Sequence, residues 1–312
     1  MTIVSEPAVD QQAISHDETP WKQLPISDLN TTITVPENIK YNPTGPRPDQ
    51  VIFLTATDGQ GNNGGIKDIV HLAEENRKAY CNHHGYIYHF INISKYDLGD
   101  SHAVWKKIPA IVEAFNTYPD AQWVFWLDLD AIIMTPSQDL NSLLLSKEGM
   151  QTALAAGDRH HSSEWAPLNT FQQAVTDFEN TDVLIAQDHN GLNAGSFLIR
   201  RSKYTQWLLD MWADPFFMHM TWPGKEQDTL VRNAYVILKS ITNGFKVHFI
   251  RHHKTFREHL GIVKQRTINS FPEGADFMRW EEGDLLVHLA GCWVEDVCQE
   301  RWDQFWAMRK TF

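Results

Sequence analysis

Apolar residues first run without interruption at Val51-Ile52-Phe53-Leu54, followed by Thr55, a pattern that predicts a short strand buried on both faces. Ile66, Ile69, Val70, Ala73, Tyr80 and Cys81 then recur mostly at three- and four-residue steps up to Gly85, which predicts an amphipathic helix stopped by glycine. Tyr86, Tyr88 and Phe90 alternate with Ile87, His89 and Ile91, marking a second strand. A second helical pattern covers 103–115, where Pro109 either kinks the helix or resets its start. Residues 122–127 read as a third strand that runs directly into Asp128-Leu129-Asp130. Three strands separated by helices predict a right-handed β-α-β-α-β unit, hence an α/β fold with a mostly parallel central sheet. Ligands in such sheets bind outside the carboxyl ends of the strands, where this acidic pair falls.

Further along, strands are expected at 152–156, 195–199 and 284–289, and helices at 204–211 and 227–235. This mixture suggests acceptor-shaping elements on one sheet, and so a single domain over 46–312. Residues 1 to about 45 read as a tail, polar and acidic at first and broken by Pro7, Pro20, Pro25, Pro36 and Pro43. It shows neither the apolar core of a signal peptide nor a stretch long enough to anchor in a membrane.

Composition narrows the partners. Among 312 residues, 27 Lys and Arg against 39 Asp and Glu leave a net charge of -12, which argues against nucleic acid and anionic membrane surfaces. The 12 tryptophans supply large flat apolar faces suited to cores and to sugar rings alike. Trp123 and Trp126 read as structural; Trp105, Trp222 and Trp293 are candidates for a sugar-facing surface. Of the three cysteines, Cys292 and Cys298 are close enough for a local bridge, and reduced thiols are the equal alternative.

Asp128 and Asp130 carry the sharpest chemical signal. Alternate residues past a strand end can send both carboxylates toward one hard cation, magnesium or manganese, and the phosphates it bridges; the plain alternative is a pair of solvated turn aspartates. A divalent cation also resolves the repulsion between an acidic protein and an anionic diphosphate. His288 closes an apolar strand and is followed by Gly291, which suits either a core histidine or an imidazole beside a close backbone approach to phosphate. The segment Asn190-Gly191-Leu192-Asn193-Ala194-Gly195-Ser196-Phe197 is either a turn into a strand or a floor where Asn193 and Asp188 meet sugar hydroxyls. In Gly224-Lys225-Glu226-Gln227-Asp228 the acids favour a helix amino end, or else stabilise positive charge at an anomeric carbon.

These pieces, taken in order, resemble glycosyltransferase family 34, which holds fungal galactosyl- and mannosyltransferases and plant xyloglucan xylosyltransferases. The matching segments are Trp105-Lys106-Lys107-Ile108-Pro109, Trp126-Leu127-Asp128-Leu129-Asp130-Ala131, Asp188 through Phe197, Glu226-Gln227-Asp228, and His288-Leu289-Ala290-Gly291-Cys292. The resemblance spans roughly Val51 to Cys298, and Trp293, where plant members carry lysine, is similar to the fungal branch.

The resemblance implies a GT-A (Rossmann-like) fold and retaining transfer of a hexose, galactose or mannose, from a nucleotide sugar to a glycan hydroxyl. It implies Mn2+, with Mg2+ as the substitute, held by Asp128, Asp130 and His288, and a UDP-sugar ahead of a GDP-sugar. Thr55, Lys107, Asp128, Asp188, Asn193, Gly195 and Gly291 form the expected donor-binding set, and Gln227, Glu226 and Asp228 the catalytic one. Association with itself or related transferases and a Golgi location, lumenal or membrane-associated, follow from the resemblance too, although the absence of a visible leader or anchor leaves a cytoplasmic location open.

Two other classes compete. A haloacid-dehalogenase-type phosphatase also uses Asp-x-Asp, but after its first strand and with Thr or Val at the position occupied here by Ile132. A non-catalytic glycan-binding subunit of a transferase complex would keep the fold without turnover. Zinc-hydrolase histidine spacing, a Gly-x-Ser-x-Gly elbow and a Walker loop are all absent, and Gly59 to Gly65 lacks the dinucleotide spacing.

Overall fold

In a computed structural model, the residues described are 30–37, 41–61, 65–154, 178–188, 191–219, 224–232 and 258–312. The first strand, β1 (Val51–Thr57), lies between β2 (Ile87–Asn92) and β3 (Trp123–Leu127), parallel to both. The crossovers are α1 (Ile69–His84) and α2 (Lys107–Thr117), as the predicted β-α-β-α-β unit requires. A short strand β4 (Ala131–Ile133) and helix α3 (Lys147–Ala153) follow, then β5 (Val183–Asp188) and β6 (Gly191–Arg200).

The six-stranded sheet has the order β2-β1-β3-β6-β5-β7, with β7 at Leu260–Val263. Only β6 is reversed in this sheet: it pairs antiparallel with β3 and β5, whereas β5 and β7 are parallel. Strands β3 and β6 are buried along their whole length; β3 accordingly runs apolar without alternation, and β6 does so over Phe197-Leu198-Ile199.

Each face of the sheet carries its own apolar layer. Ile52, Leu54, Val124 and Trp126 pack with α2 and with α4 (Lys203–Trp212), which the short α5 (Pro215–Met218) follows. Val51, Phe53, Phe125 and Leu127 pack with Tyr80 and Cys81 of α1 and with the segment around Leu140 to Met150. Outside the sheet, β4 pairs antiparallel with β8 (Leu286–His288) into a ribbon. Its residues Ile132 and Val287 pack on Ile69 and Ala73 of α1 and on Trp302 and Phe305 of the last helix, Cys298–Met308.

Local sequence explains several boundaries. Gly85 closes α1 in the left-handed conformation at φ 78°, its N–H donating to the Cys81 carbonyl. Pro109 falls in the first turn of α2, where its missing N–H has no helical partner to lose, so it resets the helix after a 3-10 turn at Ala103–Lys106.

At its described end the expected strand at 152–156 is reduced to Leu154, which makes an isolated antiparallel bridge to Val263. Thr152 and Ala153 finish α3, whose amino end is capped by Ser146 Oγ accepting from Gly149 N–H, and Met150 and Ala153 face the apolar layer at helical spacing. Ala155 and Ala156 lie outside the described residues, as do residues 1–29 of the expected tail. Within that same expected tail, Ile33 is buried, its N–H donates to Gln206, and the Thr34 carbonyl accepts from buried Arg201. Thr31, Ile33 and Thr34 therefore dock on α4 and its approach. Among the described residues no helix is long and apolar enough to cross a membrane.

Candidate metal and donor site

The site forms where β3 ends against the ribbon. Directly after β3, the Asp128 N–H donates to the Gly195 carbonyl, and Asp128 Oδ1 accepts from Trp126 Nε1 at 2.6 Å. Trp126, read from sequence as structural, thus also orients a site carboxylate. Two residues on, Asp130 is 1% exposed, and neither of its carboxylate oxygens has a hydrogen-bond partner among the described residues. Register places Ala131 opposite His288, and the Leu289 N–H donates to the Asp130 carbonyl, so the β4–β8 ribbon carries the imidazole to the carboxylates.

Ligand atoms of Asp128, Asp130 and His288 all lie within 4.8 Å of one another, with His288 Nε2 3.4 Å from Asp130 Oδ1. His288 Nδ1 lies 2.7 Å from Asn269 Oδ1, an oxygen that can only accept. The ring therefore carries a proton on Nδ1, which leaves Nε2 as the nitrogen that faces the carboxylates and would offer its lone pair to a cation. Burial works against ionisation of Asp130, yet His288 and Arg77 outweigh it and hold its carboxyl below the usual carboxylate range. Burial likewise opposes charge on His288, and Asp130 and Asp128 outweigh it, raising the imidazole.

Gly195 makes the approach of the imidazole possible. A Cβ there would sit 2.2 Å from His288 Cε1 and 2.9 Å from Nε2. Buried carboxylate oxygens without hydrogen bonds are costly unless a cation meets them. Two carboxylates and an imidazole with its outer nitrogen tied down are a donor set that fits a divalent cation.

The expected donor residues surround this centre. Asn193 Nδ2 donates to Asp188 Oδ2 at 2.8 Å, and Asn193 Oδ1 accepts from Gly195 N–H at 2.9 Å, so the β5–β6 hairpin locks both side chains beside Gly195. Gln227, on α6 (Lys225–Arg232), reaches the Ala194 N–H with Oε1 at 3.4 Å. Thr55 Oγ1 is buried and accepts from Arg77. Gly291 adopts φ 83° with open space around its Cβ position, beside the bridge that joins Cys292 and Cys298. The two cysteines are thus paired, and Cys81 is a buried free thiol.

Lys107 is the buried hub. Its ammonium donates to the Ala194 carbonyl at 2.6 Å and to Glu226 Oε1 at 3.0 Å, lies 3.5 Å from Asp128 Oδ1, and sits over the Trp126 ring at 4.9 Å. Burial disfavours the charge, but Asp128 and Glu226 more than restore it and raise the amine. Glu226 is therefore occupied by Lys107. Removing one member of a buried pair strands the other charge, so Lys107→Met is expected to cost about 3 kcal/mol in chemical denaturation. The added change Glu226→Leu should recover much of that loss, whereas an unaffected midpoint for Lys107→Met would refute the hub.

The remaining expected residues separate. Trp105 is buried at 2% exposure in the sheet core, correcting its expected place on a sugar-facing surface, because its indole fills the layer between the sheet and α2. Trp293 is 44% exposed. Trp222, His189, Asn190, residues 233–235 and the Asp228 side chain lie outside the described part. Sequence reasoning missed Arg77 and Asn269. Arg77 left a signal, since it follows Ile69 and Ala73 at four-residue steps and so puts a cation on the apolar stripe of α1; Asn269 left none.

Sheet, crossovers and the acidic strand end are those of a GT-A glycosyltransferase. A solved glycosyltransferase involved in the glycosylation of the major capsid of PBCV-1 shares the fold, at TM-score 0.50 and 14% identity, over 82% of this chain and 98% of that one. The chain belongs to the galactosyl transferase GMA12/MNN10 family, whose profile matches residues 47–299. A relative named probable alpha-1,2-galactosyltransferase gmh2, from Schizosaccharomyces pombe, is 33% identical over 271 residues, 84% of this chain and 72% of the relative. Another, named probable alpha-1,6-mannosyltransferase MNN10, from Saccharomyces cerevisiae, is 32% identical over 265 residues, 78% of this chain and 62% of the relative.

Proposed function

We propose that this glycosyltransferase moves a hexose, galactose ahead of mannose, from a nucleotide sugar to a glycan hydroxyl with retention of configuration. The observation that carries the reading is Asp130, whose two buried oxygens have no hydrogen-bond partner among the described residues and which faces Asp128 and His288. These three residues would hold a divalent cation, which supplies Lewis-acid stabilisation to the departing diphosphate. The imidazole favours Mn2+ over Mg2+, which takes oxygen ligands and keeps its waters. Relatives named galactosyltransferases support UDP-galactose as the donor, with GDP-mannose the alternative.

The chain's own groups then orient the donor. Asp188 and Asn193 offer carboxylate and amide partners to sugar hydroxyls from a locked hairpin, and Gly291 leaves room for phosphate oxygens. Gln227 and Asp228, on the first turns of α6, are assigned to stabilising positive charge at the anomeric carbon. Glu226 acts through Lys107, which fixes Asp128. Trp293 is assigned to the sugar-facing rim. The Cys292–Cys298 bridge supports an oxidising compartment such as the Golgi lumen.

Release of nucleoside diphosphate from UDP-galactose and GDP-mannose, with Mn2+ and with a chelator, tests this reading. Turnover of UDP-galactose that needs Mn2+ and stops with chelator is expected. Turnover indifferent to chelator contradicts the metal assignment, and no turnover of either sugar with a glycan acceptor contradicts the enzyme reading in favour of a binding subunit.

A further inference from the structure

The structure assigns to Arg77 a role that rests on the metal-site reading: we infer that it is the positioning residue that shapes the Asp128–Asp130 loop for the cation. Arg77 is fully buried on α1, between the residues Ile69 and Ala73 that pack on the β4–β8 ribbon and the residues Tyr80 and Cys81 that pack on the sheet. Its Nη1 donates to Thr55 Oγ1 at 2.7 Å and to the Leu127 carbonyl at 3.2 Å. Its Nη2 donates to the carbonyls of Asp128 at 2.5 Å, Ala131 at 3.2 Å and Leu129 at 3.5 Å.

An extended strand alternates its carbonyls, so consecutive carbonyls converging on one cation require a curled loop. That curl lets Asp128 and Asp130 bring their oxygens to within 4.8 Å of the His288 nitrogen. Thr55 on β1 fixes the fork from its other side. The planar guanidinium is what spans these acceptors; an ammonium keeps the charge but has neither the fork nor the reach. A positive charge behind the site would by itself repel a metal cation, so the contribution is geometric, and Arg77→Lys isolates it by keeping the charge.

Mn2+ titration calorimetry on the metal-free protein, with melting temperature followed in parallel, tests the inference. Arg77→Lys is expected to weaken Mn2+ binding at least about tenfold, the scale on which groups outside the ligand set act. Thr55→Val, which removes one anchor of the fork and little volume, should weaken it less, by roughly two- to fivefold, and decides the matter if Arg77→Lys does not fold. A folded Arg77→Lys that melts lower but binds Mn2+ with native affinity would show a purely structural role and overturn the inference, as would native affinity in Thr55→Val. Failure of the native protein to bind Mn2+ would instead contradict the metal site itself.

Discussion

Asp130→Asn is expected to fold and to lose about a thousandfold in Mn2+-dependent turnover, since a metal's charge stabilisation is worth several kcal/mol and each 1.4 kcal/mol is a factor of ten. The fold should survive because neither carboxylate oxygen makes a hydrogen bond within the described protein, so no such bond is lost. What disappears is a charge that meets the cation. Native protein with Mn2+ at a hundred times its Kd gains about 2.7 kcal/mol, or roughly 4 °C in melting temperature for a chain of this size. That increment should vanish in Asp130→Asn while the metal-free melting stays cooperative. Retention of both turnover and the Mn2+ increment would show that Asp130 is not a ligand.

Gly195→Ala is expected to do more damage with less chemistry. The added methyl would lie 2.2 Å from His288 Cε1 and 3.1 Å from Asn193 Oδ1. The imidazole cannot retreat freely, because Asn269 holds Nδ1 at 2.7 Å and Phe271 packs edge-on against the ring. Overpacking of this kind costs about 1–3 kcal/mol. Stability in denaturant and Mn2+ affinity should therefore fall together, in contrast with Asp130→Asn, where only metal binding falls. Native metal affinity in Gly195→Ala would mean that the ring has room the structure does not show.

The legible parts of this protein were those written in local pattern. β1 and β3 are continuous apolar runs, α1 has an amphipathic stripe and a glycine stop, and Asp128 and Asp130 follow directly from the end of a buried strand. Their physical causes lie within a few residues, so a reader of the sequence meets them. The direction of β6 was not legible. It is buried on both faces, so its residues look the same whether it runs with or against β3.

The three-residue β4 and four-residue β7 are too short to show a period, and both exist through distant partners, His288 and Val183 among them. At 152–153 the residues Thr152 and Ala153 fit strand and helix alike, and the Ser146 cap decided for helix. The site divides the same way. Asp128, Asp130 and His288 could be named from motif order, but the parts that make them a site come from remote chain: Arg77 curling the loop, Asn269 fixing the tautomer, Gly195 clearing the ring and Lys107 linking α6 to β3. Glu226, expected among the catalytic residues, is paired with buried Lys107, a contact that motif order does not show.

Crystals soaked with Mn2+ and UDP, with anomalous diffraction measured at the manganese edge, test the central claim most directly. One anomalous peak within coordination distance of Asp128, Asp130 and His288 Nε2, with diphosphate oxygens completing its ligands, is the predicted result. A peak elsewhere, or UDP bound with Asp130 facing no metal, would contradict it.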